Sequence, residues 1–555
     1  MKRHIPASVL WNLTMGLALV VYGVGMLIPI MEIDGAIYAN ISMIMHDTGN
    51  YRDIIYNNAD WLDKPHFQFW ITALFYKIFG VGTLGYKVPA ILFSLLAVWY
   101  TFLFGRKFYS NMHGSIAALM LIISQHFILS SHDVRAEPYL TGLTIFSLYY
   151  FASWLKDKSF TQLLLGSLGL GILLMTKGLY TIIPIATAIG LSLFYKKQWK
   201  DIFHWQWLIV GFLTLIFTMP TLYSYYVQFD MHPEKVIFGK TGVSGISFFF
   251  WDSQWGRFTN TGPIQGAGDP TFFLHTLLWA FAPWAFLAYF ALYNKTKKLI
   301  KSTNKRENYT YFGFIVIFLI FSASKFQLPH YLVPIFPMLA ILTTDTLISF
   351  GKNQKFLKTF NYIHLLSIIL IFLIVPLLQV VFFDHAPTAD TIIFLAFCIA
   401  LIVFIYVGQN NIMKKIIFPV ALSVLSVNYY LSRNFYPELL RYQSESEAAF
   451  YIKKHQLPVN DVVTYDNNQI IMDVYLHHLV PQYLIDFPNQ EVLQNKFVFI
   501  SKRGLEALDK GNISWELLET FDDFHVTTLN PEFLNKQTRE GTLEKYYLVK
   551  TGIQK

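Results

Sequence analysis

Residues 31–70 read MEIDGAIYANISMIMHDTGNYRDIIYNNADWLDKPHFQFW and directly follow the first long apolar run, Val9–Ile30. The stretch gathers Glu32, Asp34, Tyr38, Arg52, Asp53, Trp61, Asp63 and Lys64 next to a segment long enough to cross a bilayer at 1.5 Å per residue. Acidic, basic and aromatic side chains are thus concentrated where a span ends, which reads as a loop at the membrane surface with the makings of a reaction site. No small-residue cleavage pattern follows the run, so the expectation is an uncleaved first span with its basic start, Met1–His4, in the cytoplasm.

The rest of the chain supports a membrane setting. Of 555 residues, 54% are hydrophobic, 17% aromatic and only 14% charged, well below the quarter usual in soluble domains. Apolar runs recur at approximately 88–104, 113–131, 136–154, 161–176, 179–195, 205–227, 271–293, 309–323, 330–349, 360–382, 391–408 and 416–432, about 13 spans with the first. Alternate loops carry the Lys and Arg clusters, from Arg106 and Lys107 to Lys414 and Lys415, as the positive-inside rule requires. This distribution accounts for the net charge of +8 as a topology signal and leaves no basic surface for nucleic acid. The single cysteine, Cys398, lies in an apolar run and can form no internal disulfide.

Composition changes near residue 433. From Arg433 onward there are 13 basic and 17 acidic residues, against 30 and 18 before it. Strand-like pieces (DVVTY at 461, FVFIS at 497, FHVTTL at 524, KYYLV at 545) alternate with helix-like ones at 446 and 503, which predicts a small α/β domain. The expected organisation is a polytopic α-helical membrane domain, 1–432, with outer site loops at 31–87 and 228–270, followed by an extracytoplasmic domain, 433–555.

Given that topology, basic residues at outer helix ends need a separate explanation. They are Lys64, Arg135, Lys177, Lys240, Arg257 and Lys325. Each could be a solvated loop residue, but an anionic ligand explains the set. Glu32 and Asp34 follow the first span, where desolvation can raise a base's pKa. The turn His132–Pro138 carries four titratable residues, and Pro138 suits the first turn of a helix, which would lay Glu137 along the membrane surface. Lys177 needs an anionic partner at a helix end. Pro329, Pro334 and Pro337 fit either a site segment or simply a kinked helix.

Taken in order, these segments resemble the membrane glycosyltransferases that use a polyprenyl-phosphate sugar, namely the aminoarabinose transferases of lipid A and the protein O-mannosyltransferases, which share a GT-C fold. The matching pieces are Asp34-Gly-Ala-Ile-Tyr38-Ala, Asp63-Lys64-Pro65 with Trp70, Arg135-Ala-Glu137-Pro138, Thr176-Lys177-Gly178, Gly256-Arg257-Phe258, and Ser324-Lys325 through His330 and Pro334. The sequence departs from the family pattern at Gly35 and Ile37. The resemblance implies an inverting transferase in the bacterial cytoplasmic membrane, moving a sugar to lipid A, another glycan or lipid, or a protein hydroxyl. It implies Asp34 and Glu137 as catalytic groups, Lys64, Lys177, Arg257 and Arg135 as donor-phosphate ligands, and Glu32, Tyr38, Asp63, Lys325 and His330 in support. A divalent metal is compatible with the family, with Asp63 as the one corresponding ligand; the later outer loop lacks a matching histidine. A lipid transporter or flippase is the alternative reading. Transporters place polar groups near the bilayer midplane, whereas the charges here gather at helix ends.

Overall fold

The computed structural model describes residues 6–253, 266–303, 306–466, 470–483 and 490–552. The fold is a helical membrane bundle with a small sheet-containing unit at its C-terminal end. The first span is α1 (Ala7–Gly25), and residues 31–70 then depart from the expected loop. Residues Ile33–Thr48 form a helix, α2, which ends at Gly49 in the left-handed conformation (φ 68°) that glycine adopts without a Cβ penalty. A short hairpin, β1 (Ile55–Tyr56) with β2 (Ala59–Asp60), and helix α3 (Phe67–Phe79) complete the stretch. The helix forms because Ala36, Ala39, Ile41, Met43 and Met45 give it a broad apolar surface to bury.

The bundle continues with α4 (Thr83–Phe108), α5 (Asn111–Ile122), α6 (Gln125–His132), α7 (Glu137–Asp157) and α8 (Phe160–Lys177). Beyond these, helices lie on each of the remaining expected apolar runs. Among the described residues, eight helices are long and apolar enough to cross a membrane, and nine if the pair α5 and α6, bent by 58°, is one span. The run at 271–293 is divided into Phe272–Ala280 and Ala285–Ile300, and Tyr309–Ala323 is too short for the length criterion. The Pro329 series opens the helix Phe336–Ser349 through a 3₁₀ turn, Pro329–Ile335.

After the last long helical stretch, Ile412–Tyr442, helix α9 (Ser444–Lys454) leads into a five-stranded sheet of order β4-β3-β5-β7-β6. Its strands are β3 (Val462–Tyr465), β4 (Gln482–Tyr483), β5 (Phe497–Ser501), β6 (Trp515–Asp523) and β7 (Glu544–Thr551). Strand β6 corrects the expectation of a strand in FHVTTL at 524: the pairing segment is WELLETFDD, and Phe524 begins the turn that follows. As an edge strand with one neighbour, β6 carries Glu516, Glu519, Asp522 and Asp523, charges that discourage edge-to-edge pairing and hide the strand from an apolar-alternation reading.

The sheet unit shares a core with the site helices. Tyr38, Phe69, Tyr225 and Phe249 belong to the same buried apolar cluster as Ala448, Ile471 and Phe499. Polar contacts add to it: Asn40 Nδ2 donates to Asp473 at 2.9 Å, the Ile30 amide donates to Tyr475 Oη at 2.7 Å, and Gln443 Nε2 donates to the Met31 carbonyl at 3.1 Å.

Candidate active site

The turn that presents Lys64 is pinned from several sides. Buried His66 donates from Nε2 to the Arg52 carbonyl at 2.8 Å and packs on Trp70 and Tyr225, each at 5.1 Å between ring centroids. Burial lowers the His66 pKa to about 4, so the ring is neutral and serves as a structural donor. Trp70 Nε1 donates to the Tyr51 carbonyl at 2.6 Å. Gln228 accepts from the Ile54 amide and donates to its carbonyl, both at 3.0 Å, as a neighbouring strand would.

Across from this turn, a row of alternating charges leads inward. Arg135 pairs with Glu32 at 2.5 Å and lies 3.8 Å from Asp133. Its Nη1 donates to His330 Nδ1 at 3.5 Å, and His330 Nε2 is 3.8 Å from Glu137 Oε1. Glu137 in turn takes Lys177 Nζ at 2.6 Å, with side chains 2% and 8% exposed. Glu137 is therefore not laid along the surface; it is the anionic partner that Lys177 requires. Lys177 also sits 5.2 Å from the Tyr331 ring centroid. Burial raises the Asp133 carboxyl above the usual range, against the opposing pull of Arg135.

Lys64 and Lys177 meet at a cavity of about 470 Å³. Asp63 and Lys64, which form an ion pair with each other, lie on its lining together with Lys177 and Tyr331, and Phe249, Trp251 and Phe321 supply apolar wall. Two cations at the mouth of an aromatic, apolar chamber suit an anionic head joined to a hydrocarbon chain.

Asp34 stands apart from these pairs. It is exposed in the first turn of α2 and makes no hydrogen bond or ion pair among the described residues, so its carboxylate is available as a base. Tyr38, one turn on, links it electrostatically to the cavity: burial, then the charges of Asp34, Asp63 and Glu137, raise its phenol well above the ordinary value. Gly35 explains one departure from the family pattern. A Cβ there would lie 3.1 Å from the Val134 carbonyl oxygen and 3.4 Å from Tyr86 Oη, so glycine lets α2 pack against the turn that carries Arg135. Lys325 is exposed, while its neighbours Ser324 and Phe326 line the cavity. Arg257 lies outside the described residues.

Sequence reasoning missed Lys87. It is 1% exposed and donates from Nζ to the Ile28 carbonyl at 2.6 Å, holding the end of the first span beside the site. The signal was present, because Lys87 is one more cation at the outer end of an expected span.

No group of three or more His, Cys, Asp and Glu is placed to hold a metal ion among the described residues, and Asp63 is engaged by Lys64. Among the described residues, these side chains do not fit a metal site.

Residues 63–224 match the family described as dolichyl-phosphate-mannose-protein mannosyltransferase. The solved structure of ArnT from Cupriavidus metallidurans bound to undecaprenyl phosphate superposes with a TM-score of 0.73 at 18% identity, covering 99% of both chains. The chain resembles the GT-C glycosyltransferases of the ArnT and protein mannosyltransferase kind. An undecaprenyl phosphate-α-4-amino-4-deoxy-L-arabinose arabinosyl transferase of Shewanella sediminis is 25% identical over 57% of this chain and 56% of its own length. An uncharacterized protein of Aquifex aeolicus is 24% identical over 80% of this chain and 81% of its own. The chain spans just over half the length of that arabinosyl transferase. The likeness to ArnT shows the fold, that of a multi-pass membrane protein.

Proposed function

We propose that the chain is an inverting glycosyltransferase that moves a sugar from a polyprenyl-phosphate donor to an envelope acceptor: lipid A, another glycan or lipid, or a protein hydroxyl. The observation that carries the reading is the aromatic cavity with Lys64 and Lys177 on its lining. A polyprenyl chain fits the apolar wall and its phosphate meets the two ammonium groups.

Polyprenyl phosphate is a good leaving group, so the chemistry needs a base and a charge clamp more than a strong acid. Asp34 takes the proton of the acceptor hydroxyl as that oxygen attacks the anomeric carbon. The bond from that carbon to the phosphate oxygen breaks, its electron pair stays with the phosphate, and polyprenyl phosphate leaves carrying one more negative charge. Lys64 and Lys177 hold that charge, with Arg257 a further phosphate ligand. Both lysines face carboxylates, Asp63 and Glu137, which keep them ionised and aimed before the donor arrives. Arg135, held by Glu32, and His330 fix Glu137, while Tyr38 and Lys325 complete the surroundings. One displacement with one base inverts the anomeric configuration.

In this reading the N-terminus is cytoplasmic, and the site and the C-terminal unit, 433–555, face the periplasmic side of the bacterial inner membrane. The alternating Lys and Arg clusters support that orientation. The family match and the named relatives favour transfer over transport. The test is mass spectrometry of glycolipids and glycoproteins from cells with and without the gene, followed by transfer with purified protein. A sugar-bearing species that is lost with the gene and rebuilt in vitro from a polyprenyl-phosphate sugar supports the proposal; an unchanged profile and no transfer overturn it.

A further inference from the structure

A second cavity, of about 360 Å³, lies between the end of the first span, the C-terminal part of the helical stretch Ile412–Tyr442 and helix α9. Its apolar lining includes Val24, Leu27 and Phe450, and Leu27 is 66% exposed. Four polar side chains line the same space: Ser432, Arg433, Ser446 and Glu447. Ser432 is 3% exposed, and its hydroxyl is closed off from the cavity. Among the described residues Arg433 donates only from its Nε, to Asp390 at 2.9 Å, and its two Nη groups make no hydrogen bond. Glu447 is half-buried and makes no hydrogen bond or ion pair among the described residues; Arg441 and Glu438 act on it only through their fields.

A cation and a carboxylate around an apolar pocket at a span end match a headgroup with both charges and an attached hydrocarbon chain. We propose that this cavity binds a zwitterionic aminophospholipid from the leaflet on the C-terminal unit's side. The phosphate lies against Arg433, the primary ammonium against Glu447, and an acyl chain runs down past Leu27 and Val24. The carboxylate argues against a purely anionic lipid, and a primary ammonium can donate hydrogen bonds to Glu447 where a trimethylammonium cannot. Occupancy would bear on the site, because Ser446 on the same lining donates to Gln443 Oε1 at 2.9 Å and Gln443 holds the Met31 carbonyl beside Glu32. The proposal does not depend on the glycosyltransferase reading.

The test is native mass spectrometry of the full chain released from nanodiscs of phosphatidylethanolamine, phosphatidylcholine or phosphatidylglycerol of matched acyl composition. The expected result is one retained phosphatidylethanolamine per chain, with each of the other lipids retained at least tenfold less. Glu447→Gln should reduce phosphatidylethanolamine to the level of phosphatidylcholine, and Arg433→Gln should weaken both. Equal retention of phosphatidylethanolamine and phosphatidylcholine by the wild type overturns the proposal without relying on any variant. Preference for phosphatidylglycerol, unchanged retention in folded variants, or displacement of the lipid by millimolar O-phosphoethanolamine would also overturn it, the last by assigning the cavity to a soluble headgroup.

Discussion

The Lys177–Glu137 pair should be among the most costly contacts in the chain to break, and in a way that separates its structural from its ligand-binding role. Its atoms are 2.6 Å apart and its side chains 8% and 2% exposed, so removing either partner leaves a buried charge, a change that costs about 3–5 kcal/mol. Glu137→Gln should fall at about 3 kcal/mol, because the amide oxygen still accepts from Lys177 and the Tyr331 ring remains 5.2 Å away. Lys177→Met should fall at about 5 kcal/mol, since the stranded carboxylate keeps only His330, at 3.8 Å. The double variant removes both charges and should cost less than the sum of the singles, with a coupling of about 2 kcal/mol or more. Unfolding in mixed detergent micelles measures all four forms. Undecaprenyl phosphate at about a hundred times its Kd should then stabilise the wild type and Glu137→Gln by about 2.7 kcal/mol and Lys177→Met by much less. Single variants costing under about 1 kcal/mol, or equal stabilisation of Lys177→Met by the lipid, would refute the reasoning.

Three further outcomes follow from the same geometry. Lys64→Gln should lower kcat/KM for the donor about 10- to 100-fold, the worth of one hydrogen bond from a charged donor, in an initial-rate assay with varied donor. Gly25→Ala places a Cβ 2.0 Å from His132 Nε2, so the packed ring must shift, and unfolding in detergent should show a loss of about 1–3 kcal/mol. Burial raises Glu445 in helix α9 from 4.5 to about 7, although the Ile470 and Ile471 amides donate to it. A carboxyl raised in the folded state contributes stability that is full below pH 4.5 and lost as pH rises through about 7. The melting temperature should fall across that window, and Glu445→Gln, which can still accept from both amides, should flatten the fall.

The membrane architecture was legible because hydrophobic length and Lys and Arg alternation are local signals. Helix α2 was not: it is polar enough at Asp34, Asn40 and His46 to read as a loop, and its apolar face becomes visible only against α3 and the C-terminal sheet. Strand β6 was misplaced for a related reason, since an acidic edge strand lacks the apolar alternation that marks a half-buried one. The outer cations were readable from topology, but their partners were not. Glu137 and Lys177 are 40 residues apart in sequence, and Arg135 and His330 are 195 apart, so only the packed bundle reveals that each charge is already answered. Lys87 went unread because it sits at the first turns of an apolar helix, where a lysine passes for an interface residue.

In the proposed reaction the carboxylate of Asp34, which has no partner among the described residues, deprotonates the acceptor while the lysine-lined cavity holds the donor. Single-turnover transfer from a purified polyprenyl-phosphate sugar, comparing the wild type with Asp34→Asn, tests it most directly. The rate for Asp34→Asn should be about 10²- to 10⁴-fold lower, with donor affinity within about threefold of the wild type. Transfer by Asp34→Asn at the wild-type rate would contradict it.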